Sequence, residues 1–283
     1  METLPSEWRP EVADLQTSPE RMIDVIERVG RLPAIPTHDW CDQAAVVAGE
    51  ALLPADGSAV LAIGVGTLHN HNIESIDAVG AHAIGSCGGR VDEVRRTLRG
   101  IGTLPATMSI DGADSNLAVV PEAELRKSSA WASSTAARFL LSRGMSAVLI
   151  GAGLLADSEP ARVLWALGAV EDGAPIVGDM VFVTVILLAL LRRARLALAG
   201  VGRESSDWIS PREQEILNQL VLGKSVRQIA EETGRSAHTI HDHVKSLHRK
   251  LNATSRGELI ARALGHVTRG VRIRESSRKI GRA

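Results

Sequence analysis

The sequence predicts two domains of different class, an α/β (α+β) domain over residues 1–200 and a small all-α domain of four helices near the C-terminus. Three observations carry this. A length of 283 residues leaves room for about two domains at roughly 100 to 200 residues each. The hydrophobic pattern switches between helical spacing and short apolar runs over the first 200 residues, but stays helical from 211 to 264. The charge also changes sign along the chain. Residues 208 to 283 carry 15 Lys plus Arg against 7 Asp plus Glu, whereas the first 207 carry 17 against 26, an asymmetry concealed by the whole-chain value of −1. A basic segment on an acidic body suits a polyanionic partner for that segment only.

Composition excludes several classes. Apolar residues make up 45% of the chain, enough for two cores, yet Phe and Trp contribute only 2% and Tyr is absent. The cores must therefore be built from Ala, Val, Ile and Leu, and aromatic stacking platforms for single-stranded nucleic acid are not expected. Cys41 and Cys87 are too few for a disulfide framework and form no CxxC pair, which fits a reducing cytoplasm. Residues 1–30 contain acidic residues throughout and lack the charged-then-apolar pattern of a secretory signal. The longest apolar stretch, 180–191, ends at Arg192 and Arg193 and falls short of the roughly 20 residues needed to cross a bilayer, so no membrane association is expected.

Ser18-Pro19-Glu20 supplies a cap, a first-turn proline and an acid ahead of Met22, Ile23, Ile26 and Val29, predicting a helix over 19–30. Thr37 is placed to cap a second helix reaching residue 51. Asp56-Gly57 marks a turn before a strand over 58–65, and the loop His69-Asn70-His71-Asn72 leads to the stretch 73–84, completing a hairpin. A helix is expected over 91–101 and another over 128–143, stopped at Gly144. Two strands follow, 147–155 and 162–170. Asp179 caps a final helix over 180–198 whose apolar residues cover nearly its whole circumference, which calls for cover from its own domain and from a second subunit. This order of elements is similar to a GAF-like or PAS-like sensor domain, a likeness that implies an unidentified small-molecule ligand or a role in dimerisation. Residues 201–207 are polar and read as a linker, and 178–200 as the connection between the domains.

Four helices can be placed from 210 to 264 by their caps. Ser210-Pro211-Arg212-Glu213, Ser225-Val226-Arg227-Gln228 and Ser255-Arg256-Gly257-Glu258 each have the capping-box pattern, and Ser236 caps the third helix without a reciprocal partner. Gly223 and Gly234 end the first and second. One apolar face per helix closes a core, leaving His238, His241, Asp242, Lys245, His248 and Arg249 outward on the third helix, with Lys250 beside them. The turn Thr233-Gly234-Arg235 joins this helix to the one before, a geometry that admits the later helix to a DNA major groove.

Ile209-Ser210-Pro211-Arg212-Glu213-Gln214-Glu215-Ile216-Leu217, Gly223-Lys224-Ser225, Gln228-Ile229-Ala230, Thr239-Ile240-His241-Asp242-His243-Val244 and Lys250-Leu251 together resemble the LuxR-type (GerE-type) helix-turn-helix signature. The likeness assigns residues 208–267 to a DNA-binding domain and 268–283 to a basic tail. It implies a two-helix unit over 226–245 with His241, Asp242 and Lys245 facing bases, and with Ser236, Thr239, Arg249 and Lys250 contacting phosphates. The implied partner is double-stranded DNA bound by a homodimer, with RNA polymerase a further partner. No catalytic residue, metal or cofactor is implied. Thr233 and Arg235 stand where the family usually has apolar residues. His241 and Asp242 replace the more usual Lys and an apolar residue, and a carboxylate in the groove accepts from cytosine N4 but repels phosphate.

Other patterns compete. Sigma-factor region 4 has a related helix-turn-helix, but nothing upstream resembles the aromatic promoter-melting segment. Gly151-Ala152-Gly153-Leu154-Leu155-Ala156, followed by Glu171, imitates a dinucleotide fingerprint. Asp157-Ser158-Glu159-Pro160 interrupts the required helix, and a hairpin explains the same residues. His69, His71, His82 and Cys87 could gather at a metal, although a polar hairpin tip is the simpler reading. The cysteines read as small buried residues rather than redox sensors. The acidic pair of a phosphorylatable receiver and the Tyr-containing cluster of an acyl-homoserine-lactone sensor are both missing. Histidine gains charge near neutrality, so DNA affinity is expected to rise below about pH 6.5; equal dissociation constants at pH 6 and pH 8 would contradict this.

Overall fold

The computed structural model describes residues 19–54, 57–69, 72–100, 104–105, 117–156, 161–171, 179–198 and 207–266. It divides into two compact units, Met1–Pro211 and Arg212–Ala283. The first is a mixed α/β unit built on an antiparallel sheet of order β3-β2-β1-β6-β5-β4. Strand β1 (Ala59–His69) pairs with β2 (Asn72–Ile84) from Ala59↔Ile84 to His69↔Asn72, and on its other side with β6 (Ala161–Glu171) from Ala59↔Val170 to Leu68↔Ala161. Strand β5 (Met145–Ala156) pairs with β6, while β3 (Leu104–Pro105) and β4 (Leu117–Pro121) lie at the two edges.

Strands β1 and β6 have continuous apolar sequences because both faces of the sheet are covered. Leu61, Ile63 and Val65 face the same side as Leu164, Ala166 and Val170, where they pack with α1 (Pro19–Gly30), α2 (Trp40–Leu52) and α7 (Met180–Leu198). The alternate residues Val60, Ala62, Val163, Trp165, Leu167 and Ala169 face the other side. There they join Val94 and Leu98 of α3 (Val91–Gly100), Leu125 of α4 (Glu122–Leu125), Trp131 of α5 (Ser129–Ala132) and Leu140 of α6 (Thr135–Leu141).

Helix α2 lies unusually close to β2. Its inner face is Ala44, Ala45 and Ala48, and a Cβ at Gly80 would come within 2.2 Å of the Asp42 nitrogen and the Cys41 carbonyl carbon, so only glycine fits. Cys41 is buried there, and burial together with the Asp42 charge pushes its thiol far above the ordinary range, so it stays protonated at neutral pH.

Helix α7 opens with the expected cap, the Phe182 N–H donating to Asp179 Oδ1 at 2.8 Å. Phe182, Ile186, Leu190 and Leu191 are buried, whereas Val181 and Leu196 are exposed, so its own unit covers only part of its circumference. Its last turns are latched by arginines. Arg162 bridges the Leu198 carbonyl (3.3 Å) and the buried Asp77 carboxylate (3.3 Å), Arg195 donates to the Leu154 carbonyl (2.8 Å), and Arg193 donates through Nε to the Leu32 carbonyl (2.7 Å). Asp77 sits at one β2 register shift and Leu155 at a β5 shift, irregularities that turn side chains toward the helix end.

Several expectations change. Thr37 does not cap α2. Residues 36–38 instead pair with Ile209, whose N–H donates to the Pro36 carbonyl at 2.7 Å while the His38 N–H donates to the Ile209 carbonyl at 3.0 Å. The buried Trp40, its indole N–H on the Pro33 carbonyl, fixes the helix start. Trp208 packs into the core of this same first unit. The helix expected over 128–143 is two short helices, because Ser134 caps a new one through the Ala137 N–H (3.1 Å) after α5 has ended. The glycines 151 and 153 lie on β5, and four residues separate its end from antiparallel β6, so among the described residues no helix follows them to hold a pyrophosphate. A Cβ at Gly151 would meet Leu187 of α7 at 2.7 Å, which accounts for that glycine through packing.

Gly80→Ala is expected to lower the stability of the first unit by about 1–3 kcal/mol through overpacking. Gly89→Ala, with nothing within 4 Å of the added Cβ, should stay within about 0.5 kcal/mol. Urea unfolding of the two variants checks the contrast.

Candidate nucleic-acid interface

The second unit consists of α8 (Pro211–Val221), α9 (Val226–Thr233), α10 (Ala237–Lys250) and α11 (Arg256–Ala263). Ile216, Leu217 and Leu220, Ile229 and Ala230, Ile240 and Leu247, and Leu259 form the buried faces expected from the spacing. Ser225 and Gln228 make the reciprocal capping box of α9: the Gln228 N–H donates to Ser225 Oγ (3.3 Å), and the Ser225 N–H donates to Gln228 Oε1 (2.8 Å). Gly234 ends α9 at φ 63°, in the left-handed region, and the Arg235 N–H then reaches back to the Ala230 carbonyl at 3.0 Å. The Thr233 hydroxyl donates to the Ile229 carbonyl at 2.7 Å, and Arg235 is exposed.

Ser236 caps α10, accepting from the Thr239 N–H at 3.0 Å, and the two hydroxyls are 2.9 Å apart. Along α10 the exposed polar residues His238, His241, Asp242, Lys245 and Arg249 form one face, linked by steps of three or four residues. His238 Nε2 lies 3.9 Å from the Asp242 carboxylate, so a protonated His238 would partly offset that negative charge. His248 is not part of this row; its Nδ1 lies 2.8 Å from the Ala253 carbonyl and ties α10 to the following turn.

Lys250 is a correction. The resemblance implied a phosphate contact, but its ammonium donates to Glu213 Oε2 at 2.7 Å, and the two side chains are only 8% and 5% exposed. The Ser246 hydroxyl donates to the other Glu213 oxygen, also at 2.7 Å. The pair therefore clamps α8 to α10 from inside, and its charge is spent within the protein. Arg256 also works internally, donating to the Leu220 carbonyl (3.1 Å) and the Lys224 carbonyl (2.8 Å) at the end of α8. Arg235 is not among the residues that the resemblance assigned to DNA. It is exposed at the entry to α10, and its position beside the Ser236 cap was the available signal.

Glu258 departs from its expected box. Its Oε2 accepts from the Thr254 N–H at 2.8 Å and the Thr254 hydroxyl at 2.7 Å, while Arg262 donates to Oε1 at 2.7 Å. The Thr254 N–H is the largest of these influences, and together they hold the Glu258 carboxyl down to about 2. A folded value below the unfolded one means that the stabilisation is complete above the ordinary carboxylate range and is lost as pH falls toward about 2.

The other candidate ligand sets lie in the first unit. Among the described residues there is no group of three or more His, Cys, Asp or Glu able to hold a metal. His71 is outside the described residues. His82 pairs with Leu61 and His69 with Asn72, eight β1 residues apart and about 26 Å along the strand, so these two imidazoles cannot share an ion. A half-open cleft of about 180 Å³ lies among Leu125, Trp131, Leu140 and Met145, with Glu122 and Arg126 also lining it. The arginines and lysine at 269, 272, 274, 278, 279 and 282, read from sequence as a basic tail, lie outside the described residues.

Glu213→Gln alone and Lys250→Met alone are each expected to cost about 3–5 kcal/mol, because each strands the other buried group, and the double variant less than their sum. Chemical denaturation of the four forms in a double-mutant cycle measures this. Between pH 5 and pH 3, Glu258→Gln should unfold with a flatter pH dependence than the parent, which thermal melts across that range would reveal.

Residues 207–263 match the model of the luxR family of bacterial regulatory proteins, the GerE domain. This chain is 43% identical over 63 residues to the transcriptional regulatory protein MctR of Rhizobium johnstonii, and 38% identical over 58 residues to the probable HTH-type transcriptional regulator GfsR of Streptomyces halstedii. The alignments cover 22% and 20% of this chain, and 29% and 24% of those relatives, so less than a third of either is spanned. A crystal structure of Escherichia coli SdiA aligns over 87% of this chain and 97% of its own, at 15% identity with a TM-score of 0.30. A structure of SdiA in complex with octanoyl-rac-glycerol aligns over 87% and 94%, at 12% identity with a TM-score of 0.33.

Proposed function

We propose, from a domain at residues 207–263 that belongs to the luxR family of bacterial regulatory proteins, that this chain is a sequence-specific DNA-binding transcriptional regulator. The observation that carries the proposal is the exposed row on α10, behind a capped turn that would present it to a major groove. His241, Asp242 and Lys245 are assigned to base edges. Arg249 and the hydroxyls of Ser236 and Thr239 are assigned to phosphates, and Arg235 joins them. Lys250 is withdrawn from contact and assigned to holding α10 in place.

The first unit acts in this reading as a GAF-like or PAS-like sensor or dimerisation domain, a likeness that rests on the order of its elements. Exposed Val181 and Leu196 on α7 support a homodimer. Two copies would set recognition helices about 34–36 Å apart on one face of DNA and require a pseudo-palindromic site. The protein works by binding rather than catalysis, with RNA polymerase a further partner and the cytoplasm its compartment. Among the described residues no helix is long and apolar enough to cross a membrane.

Selection of random duplexes with the full chain, followed by salt titration on the enriched site, tests this directly. Log affinity should fall with log salt at about −0.9 per phosphate neutralised. Lys245→Ala should cost roughly 1–3 kcal/mol and relax one base position, whereas Arg249→Ala should weaken all sequences alike and reduce the salt slope by about 1. Failure to enrich any motif would remove sequence-specific recognition, and one protomer per site with monomeric light scattering would remove the dimer.

A further inference from the structure

His238 and Asp242 stand four residues apart on the exposed face of α10, with His238 Nε2 3.9 Å from Asp242 Oδ2. Their side chains are 88% and 68% exposed, so both can be substituted without disturbing the core. Asp242 is the sole acid of α10. A carboxylate at a base edge accepts from cytosine N4 and is repelled by the acceptors of guanine and by phosphate. An opposite charge within reach competes with the base for the same oxygens.

The strength of that competitor varies with pH. A lysine is charged on both sides of neutrality, whereas a histidine changes charge there, so Lys245, three residues beyond Asp242, gives a constant background and His238 a variable one. His241 and His243 flank Asp242 in sequence and lie about 100° to either side of it round the helix, so neither faces the carboxylate as His238 does. Charged groups on the neighbouring helices are engaged elsewhere. On α9, Arg227 pairs with Glu231 and Glu232 with Lys224; on α8, Arg212 pairs with Glu215 and Glu213 with Lys250; on α11, Glu258 pairs with Arg262. Arg235 is exposed three residues before His238, and its charge opposes the proton. In the free protein water also screens the pair, and the first turn of a helix disfavours a cation. DNA reverses the balance, because its phosphates attract the proton and a groove cleared of water strengthens the pull between imidazolium and carboxylate.

We propose that His238 is a specificity-determining residue which, by gaining or losing a proton on DNA, decides whether Asp242 reads a base. With His238 neutral, Asp242 accepts from cytosine N4 and rejects other bases at its position. With His238 protonated, the carboxylate turns to the imidazolium and that position no longer discriminates. The proposal deepens the DNA-binding reading and rests on its assignment of Asp242 to a base edge. It differs from a general rise in affinity at low pH, to which His241 also contributes and which leaves base preference unchanged.

The test selects random duplexes with the full chain at pH 8 and again at pH 5.5. Dissociation constants are then measured for the enriched site and for its three base changes at the position that Asp242→Ala relaxes at pH 8. Cytosine should be preferred there by about tenfold or more at pH 8, within the usual span for one mismatched pair, and by less than about threefold at pH 5.5. His238→Gln, neutral at both pH values, should keep the preference at both. His238→Lys, charged at both, should lack it at both. In each variant overall affinity should still change with pH through His241. A parent preference equally strong at pH 5.5 and pH 8, a preference that His238→Gln still loses at pH 5.5, or a site with no position relaxed by Asp242→Ala overturns the proposal and leaves sequence-specific binding standing. Failure to enrich any sequence at either pH removes the DNA-binding reading and the proposal with it.

Discussion

Burial of β1 and β6 on both faces is the constraint around which the first unit is organised. A strand whose every residue from 59 to 67 is buried cannot lie at a surface, so each face of the sheet must be sealed by helices. The unit meets this with two different kinds of cover. On one side α2 comes down onto β2 through alanines and Gly80, and α1 and α7 fill the remainder. On the other, shorter helices pack on β2 and β5 to either side of the seam that holds Trp165. With so few aromatic residues, Trp40 and Trp165 are the largest fully buried side chains, one in each core.

Polar groups are used sparingly and at the ends of elements. Arg162 donates to the last carbonyl of α7 and Arg193 to the Leu32 carbonyl just beyond α1, where helix ends lack intrahelical partners, while Arg195 donates from α7 to the Leu154 carbonyl of β5. Asp77 is the carboxylate that makes burial of Arg162 tolerable, and the β2 irregularity brings it into reach. The C-terminal turn of α7 is therefore tied to three strands of the sheet.

In the second unit the question is which positive charges are available. The segment is basic as a whole, yet Lys250 and Arg256 are engaged in holding helices together, Arg262 pairs with Glu258 within α11, and Lys224 and Arg227 pair with Glu232 and Glu231. What is left outward on α10 is a compact row containing one lysine, one arginine, two histidines and one aspartate. An interface of that composition gains affinity from phosphate contacts and selectivity from a few polar groups placed at base edges. In the proposed interface, the aspartate would favour a donor-bearing base at its position and penalise alternatives.

The sequence by itself determined the elements whose signals are local: the caps at Ser225 and Ser236, the left-handed Gly234, the helix over 19–30 and the β1–β2 and β5–β6 hairpins. These depend on neighbours a few residues away, and the α/β-plus-all-α class followed from them. Tertiary structure alone decided the rest, because the relevant partner is distant in the chain. Thr37, expected to cap α2, lies instead in a short pairing with Ile209, which offers backbone hydrogen bonds to Pro36 and His38. Glycines that imitate a nucleotide fingerprint are accounted for by a hairpin and by Leu187. Lys250 could be identified as basic from its letter, but whether its charge faced DNA or the interior depended on Glu213, thirty-seven residues away. Patterns of residue type fix which segment is basic; only packing fixes which of its charges reach solvent.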